Sequence, residues 1–286
     1  MSKGQPLRKD FAQLGKEKQA TKIQNFNYSA CIPTIGREET IPAVLLSLAF
    51  QSQLPYEVIV LDESRKPLGE NFFFNQALDV LSLKGVKVKI IRNRRKEGIG
   101  TARWKLCLEA TSKHVLMVDD DVVLEVDCAR DLLVALNKHQ TSWAVPTCIL
   151  VPNNFVLDGY RDEPVDILDP SVQMWTKKYP WFIPYFDYTE PVECLIPCAG
   201  TQSILVDKED FQVHCEDIQA FGRLPREDTY MTTKMGQGIF ASSARCLHFE
   251  HHTQLDRANW GDSMFYRLHE ACMEDPDGFV HMLRRK

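Results

Sequence analysis

HVLMV at residues 114–118, followed without a break by Asp119, Asp120 and Asp121, is the stretch whose reading decides the fold. A short, continuously apolar run of this length, closed by polar residues, predicts a buried strand rather than a helix. Carboxylates crowded at a strand end repel one another unless something positive neutralises them. The triplet therefore predicts a hard cation, Mg²⁺ or Mn²⁺, because both favour oxygen ligands. Strand alternation places Asp119 and Asp121 on one side and Asp120 on the other. A solvated acidic turn is the alternative for the triplet taken alone.

Upstream, the chain alternates between two periodicities. Tyr28–Ile32 (YSACI) is apolar and closed by Pro33, Glu57–Leu61 (EVIVL) runs into Asp62, and Val86–Ile91 has strand composition. Between them, Glu39–Gln51 carries Ile41, Val44, Leu45 and Leu48 at helical spacing, Asn71–Leu83 repeats the pattern, and Gly98–Ala110 opens on glycines and continues as a helix. Strands alternating with helices imply an α/β fold with a mostly parallel, doubly wound sheet flanked by helices. Ligands of such sheets bind outside the carboxyl ends of the strands, where Asp62 and the triplet both fall.

The second half is less regular. Ser142–Leu150 and Thr201–Val206 are expected strands, Pro225–Met235 a helix and Ile239–Phe249 a strand. Between residues 175 and 188 aromatics are dense (Trp175, Tyr179, Trp181, Phe182, Tyr185, Phe186, Tyr188). They read as core filling or as a wall for the C–H faces of sugars.

Composition bounds the partners. The 286 residues are 44% hydrophobic and 26% charged, as in an ordinary globular protein, and the formal charge of −5 argues against a general nucleic-acid binder. Residues 1–24 are the exception, with six Lys/Arg (Lys3, Arg8, Lys9, Lys16, Lys18, Lys22) against Asp10 and Glu17. This stretch reads as a peripheral arm, or as a basic contact for an anionic membrane surface. Nine scattered cysteines fit a reducing, cytoplasmic setting; Cys194 and Cys198 have no second pair at zinc-site spacing. No apolar run approaches the roughly 18 residues of a membrane span, and the N-terminus has no apolar signal stretch.

HVLMVDDDVVL resembles the strand and DxD motif of family 2 glycosyltransferases, which have the GT-A fold. Other landmarks follow in that family's order. SACIPTIGREETIPAVLLSLAFQS resembles its first strand, loop and helix, and YEVIVLDES its second strand with the nucleotide-contacting Asp. RNRRKEGIGTARWKLCLEA resembles the segment preceding the DxD strand, CAGTQSILVDKEDF the acceptor-side strand, and REDTYMTTKMGQGIFASSARCLHFEHH the Glu-Asp helix and the strand carrying a histidine. The likeness spans roughly residues 28–252.

The resemblance implies a metal-dependent, inverting transfer of a sugar from a nucleotide donor, UDP-linked in the first instance. The acceptor would be a glycan, a lipid-linked or a small-molecule hydroxyl. It implies a basic arm at 1–27, a nucleotide-sugar-binding half at 28–125, an acceptor-binding and catalytic half at 126–252 and a tail at 253–286. Asp119 and Asp121, with His248, would hold Mn²⁺ or Mg²⁺; His251 and His252 compete with His248. Pro33, Asp62, Arg95, Gly98, Arg103, Asp119 and Asp120 would line the donor, with Asp62 reading the base and Asp120 turned toward ribose or solvent. Asp228, with Glu227 beside it, would deprotonate the acceptor. Each has a plainer reading: Asp62 as a turn cap, Arg103 as a structural ion pair, Arg92, Arg94 and Arg95 as a solvated strand end, and Glu227-Asp228 as dipole complementation at a helix start. Gln254, Arg257 and Trp260 depart from the Gln-x-x-Arg-Trp spacing of processive synthases.

Two other functions compete. In haloacid-dehalogenase-type phosphatases an apolar strand also precedes Asp-x-Asp, which would make Asp119 a nucleophile and Asp121 an acid/base. There, however, the motif opens the domain, whereas three strand–helix units precede it here. A non-catalytic nucleotide-sugar-binding protein is the second alternative, and it has no use for a base at Asp228.

Overall fold

The computed structural model describes residues 26–151, 188–200, 202–221, 227–249 and 273–277, with scattered positions between 166 and 184. The arm at 1–24, most of the aromatic segment, and Arg226, His251, His252, Gln254, Arg257 and Trp260 lie outside the described residues.

The chain begins with three parallel strand–helix units. β1 (Tyr28–Thr34), β2 (Glu57–Asp62), β3 (Lys87–Arg92) and β4 (His114–Val118) alternate with α1 (Ile41–Ala49), α2 (Phe72–Leu83) and α3 (Ile99–Glu109). β5 (Val122–Leu124), α4 (Cys128–His139), β6 (Trp143–Val151), β7 (Glu193–Ile196), β8 (Ser203–Asp207), α5 (Lys208–His214), a 3₁₀ turn at Glu216–Phe221, α6 (Glu227–Lys234) and β9 (Gly238–Phe249) follow. Among the described residues they form one nine-stranded sheet in the order β3-β2-β1-β4-β8-β6-β9-β5, with β7 on β9. Pairing is parallel across β3-β2-β1-β4 and between β6 and β9, and antiparallel elsewhere.

Every residue of β1, β2 and β4 is buried because helices cover both faces of the sheet. One core joins the sheet to α1, α2 and α4 through residues such as Leu45, Phe74 and Leu132. The other joins it to α3, α5 and α6 through Leu106, Phe211 and Tyr230. Tyr188 packs in the second core, its ring centroid 5.4 Å from that of Phe240, so this one aromatic serves as core. β3 is the edge strand and is largely exposed.

Register sets the site. Thr34 pairs with Asp62 and Asp62 with Arg92, so three strands end side by side. Cys31 pairs with Met117, which brings the end of β4 next to the end of β1. On the far side, Val122 of β5 pairs with His248 of β9, and the Phe249 amide donates to the Asp121 carbonyl at 2.9 Å.

Three helix starts have a local reason. Asn71 caps α2 by accepting from the Phe74 amide at 2.9 Å, and Asp207 caps α5 through Glu209 and Asp210. α3 starts after Gly98, whose φ of +97° favours glycine. Two residues on, Gly100 lets α3 approach the 3₁₀ turn so closely that a Cβ there would lie 2.3 Å from the Ile218 carbonyl oxygen. Gly100→Ala is therefore expected to force α3 away from the turn and to destabilise the protein by about 1–3 kcal/mol, the usual range for overpacking. Urea denaturation checks this, and an unchanged midpoint would show that the contact is loose.

Candidate active site

Asp119 leaves β4 with its amide donating to the Gln202 carbonyl at 2.9 Å, and its own carbonyl accepts from Val122 at 3.2 Å. The triplet is therefore a tight turn between β4 and β5, not a continuation of the strand. The expected alternation of sides does not hold, since Arg37 reaches Asp120 and Asp121 together. Asp120 is 5% exposed.

Two guanidiniums meet the turn from different directions. Arg37 lies in the loop after β1, and its Nη1 donates to Asp120 Oδ1 at 2.8 Å and to Asp121 Oδ2 at a shorter distance. Thr40, in the same loop, donates its hydroxyl to the Asp120 carbonyl at 2.7 Å. Arg103 on α3 is 2% exposed, and its Nη2 donates to Asp119 Oδ1 at 3.0 Å. Arg103 Nη1 lies 3.3 Å from Glu227 Oε1, within ion-pair distance though not aligned as a hydrogen bond. The Nε2 of His248, 1% exposed, lies 3.3 Å from Asp121 Oδ2, and its Nδ1 is buried without a hydrogen-bond partner.

Burial and charge pull against each other here. Burial pushes the Asp120 carboxyl up to about 6, with Arg37 and Thr34 offsetting part of the rise. Burial also raises Asp119 above the usual carboxylate range, against the pull of Arg103; a quarter of its side chain stays accessible, which limits that rise. Glu227 is pushed up to about 7 by burial, then lowered by Arg103 and raised by Asp228 and Asp119. Burial alone would lower Arg103, but Asp119, Glu227 and Asp228 outweigh it and hold the guanidinium firmly protonated.

The other expected residues fall around this centre. Asp62, 1% exposed, ends β2, where its Oδ1 accepts from the Ser64 amide at 2.9 Å and its Oδ2 from Leu68 at 3.1 Å. Arg92 Nη1 lies 2.9 Å from Asp62 Oδ1. Asp62 is thus a turn cap and an ion-pair partner at once. Pro33 is buried in β1 opposite Leu61. Arg95 is exposed, with its amide on Asn93 Oδ1 at 3.2 Å. Asp228 sits in the first turn of α6, where Oδ1 accepts from the Thr229 amide at 2.7 Å. Thr232 fixes that turn by donating to the Asp228 carbonyl at 2.9 Å and accepting from the Ala199 amide at 3.0 Å.

Sequence reasoning missed Arg37 and Arg92. Arg92 appeared only within a basic cluster beside the donor site, of which one member was to face phosphate and at least two solvent, and Arg37 only inside PTIGRE. The signal available for Arg37 was chemical: crowded carboxylates require cations, and this loop follows the strand next to β4.

Asp119, Asp121 and His248 supply hard oxygens and an imidazole, a donor set suited in kind to Mn²⁺ or Mg²⁺. As they stand, Arg37 engages Asp121, and no group of three or more His, Cys, Asp or Glu among the described residues is arranged to hold a metal. Cys194 and Cys198 are free thiols, Cys198 fully buried in the core.

Two outcomes follow from these charges. Glu227 has a folded pKa of about 7 against 4.5 for a free side chain. Between those values the folded state keeps a proton that the unfolded state releases, so its contribution to stability falls as pH rises through that window. Thermal melts in EDTA from pH 5 to 8 should show this decline in the wild type and a flatter profile in Glu227→Gln; matching slopes would place the titration elsewhere. Arg103→Ala strands two carboxylates in the interior and should cost about 3–5 kcal/mol, as breaking buried pairs does, read by urea denaturation.

Residues 29–207 match the family model described as Glycosyl transferase family 2. Among solved structures, the chain is similar to GalNAc-T7 with UDP, GalNAc and Mn²⁺, at 18% identity and a TM-score of 0.57, covering 79% of this chain and 44% of that one. It is also similar to Staphylococcus aureus TarS 1–349 with UDP (17% identity, TM-score 0.52, 79% and 61% covered). The same fragment with UDP-GlcNAc gives 18% identity and a TM-score of 0.53, with 79% and 59% covered. At these identities the likeness shows the fold, and this chain spans between 44% and 61% of those structures' lengths. No curated protein matches the chain. The GT-A-like α/β sheet and the family match over more than half the sequence together place this chain in glycosyl transferase family 2.

Proposed function

We propose that the protein transfers a sugar from a nucleotide donor, UDP-linked in the first instance, to an acceptor hydroxyl with inversion at the anomeric carbon. The observation that supports this is Arg103 joining Asp119 of the turn to Glu227 at the start of α6, in a chain of this family, with Asp62 ending β2 two strands from β4. UDP in the similar structures supports the donor class. Family membership also removes the reason to read Asp119 and Asp121 as a phosphatase pair.

In this reading Asp62 and the loop it caps receive the base, with Pro33, Arg95 and Gly98 around the donor. Arg103 holds Asp119 in place and adds positive charge beside the diphosphate. Asp119, Asp121 and His248 would hold Mn²⁺ or Mg²⁺, which when bound stabilises charge on the departing diphosphate. Mn²⁺ in the GalNAc-T7 structure supports that choice. Asp228 takes the proton from the acceptor oxygen as that oxygen attacks the anomeric carbon and the bond to the diphosphate breaks. Glu227, whose Oε1 lies 3.3 Å from Arg103 Nη1, is assigned to orienting that guanidinium. The donor half is assigned to 28–125 and the acceptor half to 126–252. No helix among the described residues is long and apolar enough to cross a membrane.

Asp228→Asn should abolish transfer while leaving UDP affinity within about threefold, because it removes a group acting only on the acceptor. Asp121→Asn should instead weaken metal-dependent UDP binding. A thermal-shift screen of nucleotide-sugars with and without Mn²⁺ identifies the donor through its stabilisation of the folded state. Full turnover by Asp228→Asn would remove the base from this scheme.

A further inference from the structure

We infer that Arg37 is a tethered counter-ion that occupies the cation position of the acidic turn in the donor-free protein, and that it must swing out when nucleotide and metal enter together. The inference rests on the metal-dependent reading above and adds a residue and an order of events to it.

The geometry is specific. Both contacts of Arg37 to the turn run through one nitrogen, Nη1, shared between Asp120 Oδ1 and Asp121 Oδ2. Paired guanidinium–carboxylate contacts commonly use two parallel hydrogen bonds from two nitrogens. A single nitrogen lodged between two carboxylate oxygens acts as a point charge, as a metal ion would. His248 Nε2 lies 3.3 Å from the same Asp121 oxygen, so an imidazole and the guanidinium both approach that carboxylate.

Arg37 also stands in the right place to leave. Its side chain is 24% exposed, whereas those of Asp120 and Asp121 are 7% and 1% exposed, so the guanidinium lies between the buried carboxylates and solvent. Its neighbours Ile35, Gly36, Glu38 and Glu39 are exposed, and the loop is pinned to the turn by the Thr40 hydroxyl rather than by Arg37 alone. Rotation of one long side chain opens the position without moving the sheet.

The charge arithmetic gives the consequence. A buried carboxylate that stays ionised needs a cation beside it, and a cation attached to the same chain has a high effective concentration. A divalent ion arriving alone must displace Arg37 and leave that guanidinium without a partner. A diphosphate arriving with the ion supplies both further ligands and an anion for the displaced guanidinium. Metal and nucleotide therefore bind synergistically, and by linkage each tightens the other to the same degree.

The test is a Mn²⁺ titration, read by the electron paramagnetic resonance of free Mn²⁺, with and without UDP. Wild type, Arg37→Gln and Arg37→Lys are compared, with Asp121→Asn to subtract binding elsewhere. Arg37→Gln should take up Mn²⁺ without UDP about tenfold or more tightly than the wild type, since a full positive charge at contact distance has gone. Its synergy with UDP should shrink accordingly, and Mn²⁺ alone should raise its melting temperature but not that of the wild type. Arg37→Lys keeps the charge and should behave like the wild type. Equal or weaker Mn²⁺ uptake by Arg37→Gln, or a Lys variant matching the Gln variant, overturns the inference. If the wild type takes up Mn²⁺ only with UDP and Arg37→Gln does the same, only the role of Arg37 fails. If neither takes up Mn²⁺ even with UDP, the metal-dependent reading fails and the inference with it.

Discussion

A guanidinium removed from water loses several kcal/mol of hydration unless carboxylates are held against it, and Arg103 meets that condition from two distant parts of the chain. Asp119 comes from the turn after β4 and Glu227 from the first turn of α6, more than a hundred residues later. Neither carboxylate is stable in its place without the arginine, because burial raises the pKa of both. The three groups therefore fix one another. They join the end of the parallel strand block to the helix that carries Asp228, so donor-side and acceptor-side groups share one electrostatic unit.

The acidic turn extends this principle to its other side. Arg37 compensates Asp120 and Asp121 from the β1 loop, and β9 brings His248 up through its pairing with β5. Five other chain segments thus meet around the turn's three consecutive carboxylates: the β1 loop, α3, Gln202 just before β8, α6 and β9. Such a site is expensive to assemble from charges alone, which is the usual mark of a functional rather than a structural cluster.

Much of the fold was legible in the sequence because its signals are local. β2 and β4 are covered on both faces and so read as unbroken apolar runs, and α1 and α2 bury one stripe each. The elements that were missed have physical reasons. β5 has three residues, β7 four and α5 seven, too few for a period to emerge. α4 was readable, with Cys128, Leu132, Leu133 and Leu136 on its buried face, but it lay in the half judged irregular. At the site, the sequence pointed to Asp62, Asp119–Asp121, Arg103, Glu227 and Asp228 by type and order. It did not disclose the pairing of Arg37 with carboxylates 83 and 84 positions away, nor the ion pair of Asp62 with Arg92; the turn-cap role of Asp62 was among its readings. Ion pairs of that separation depend on register between strands, which no local pattern encodes.

A crystal structure with UDP and Mn²⁺ bound, using the anomalous signal of manganese, decides whether the Asp119–Asp121 turn receives the diphosphate of a nucleotide donor through a divalent cation. The expected result is a manganese peak against the Asp121 carboxylate, with the diphosphate on its open side and the Arg37 guanidinium withdrawn from Asp120 and Asp121. A diphosphate bound away from this turn, or a manganese peak remote from Asp119, Asp121 and His248, would contradict it.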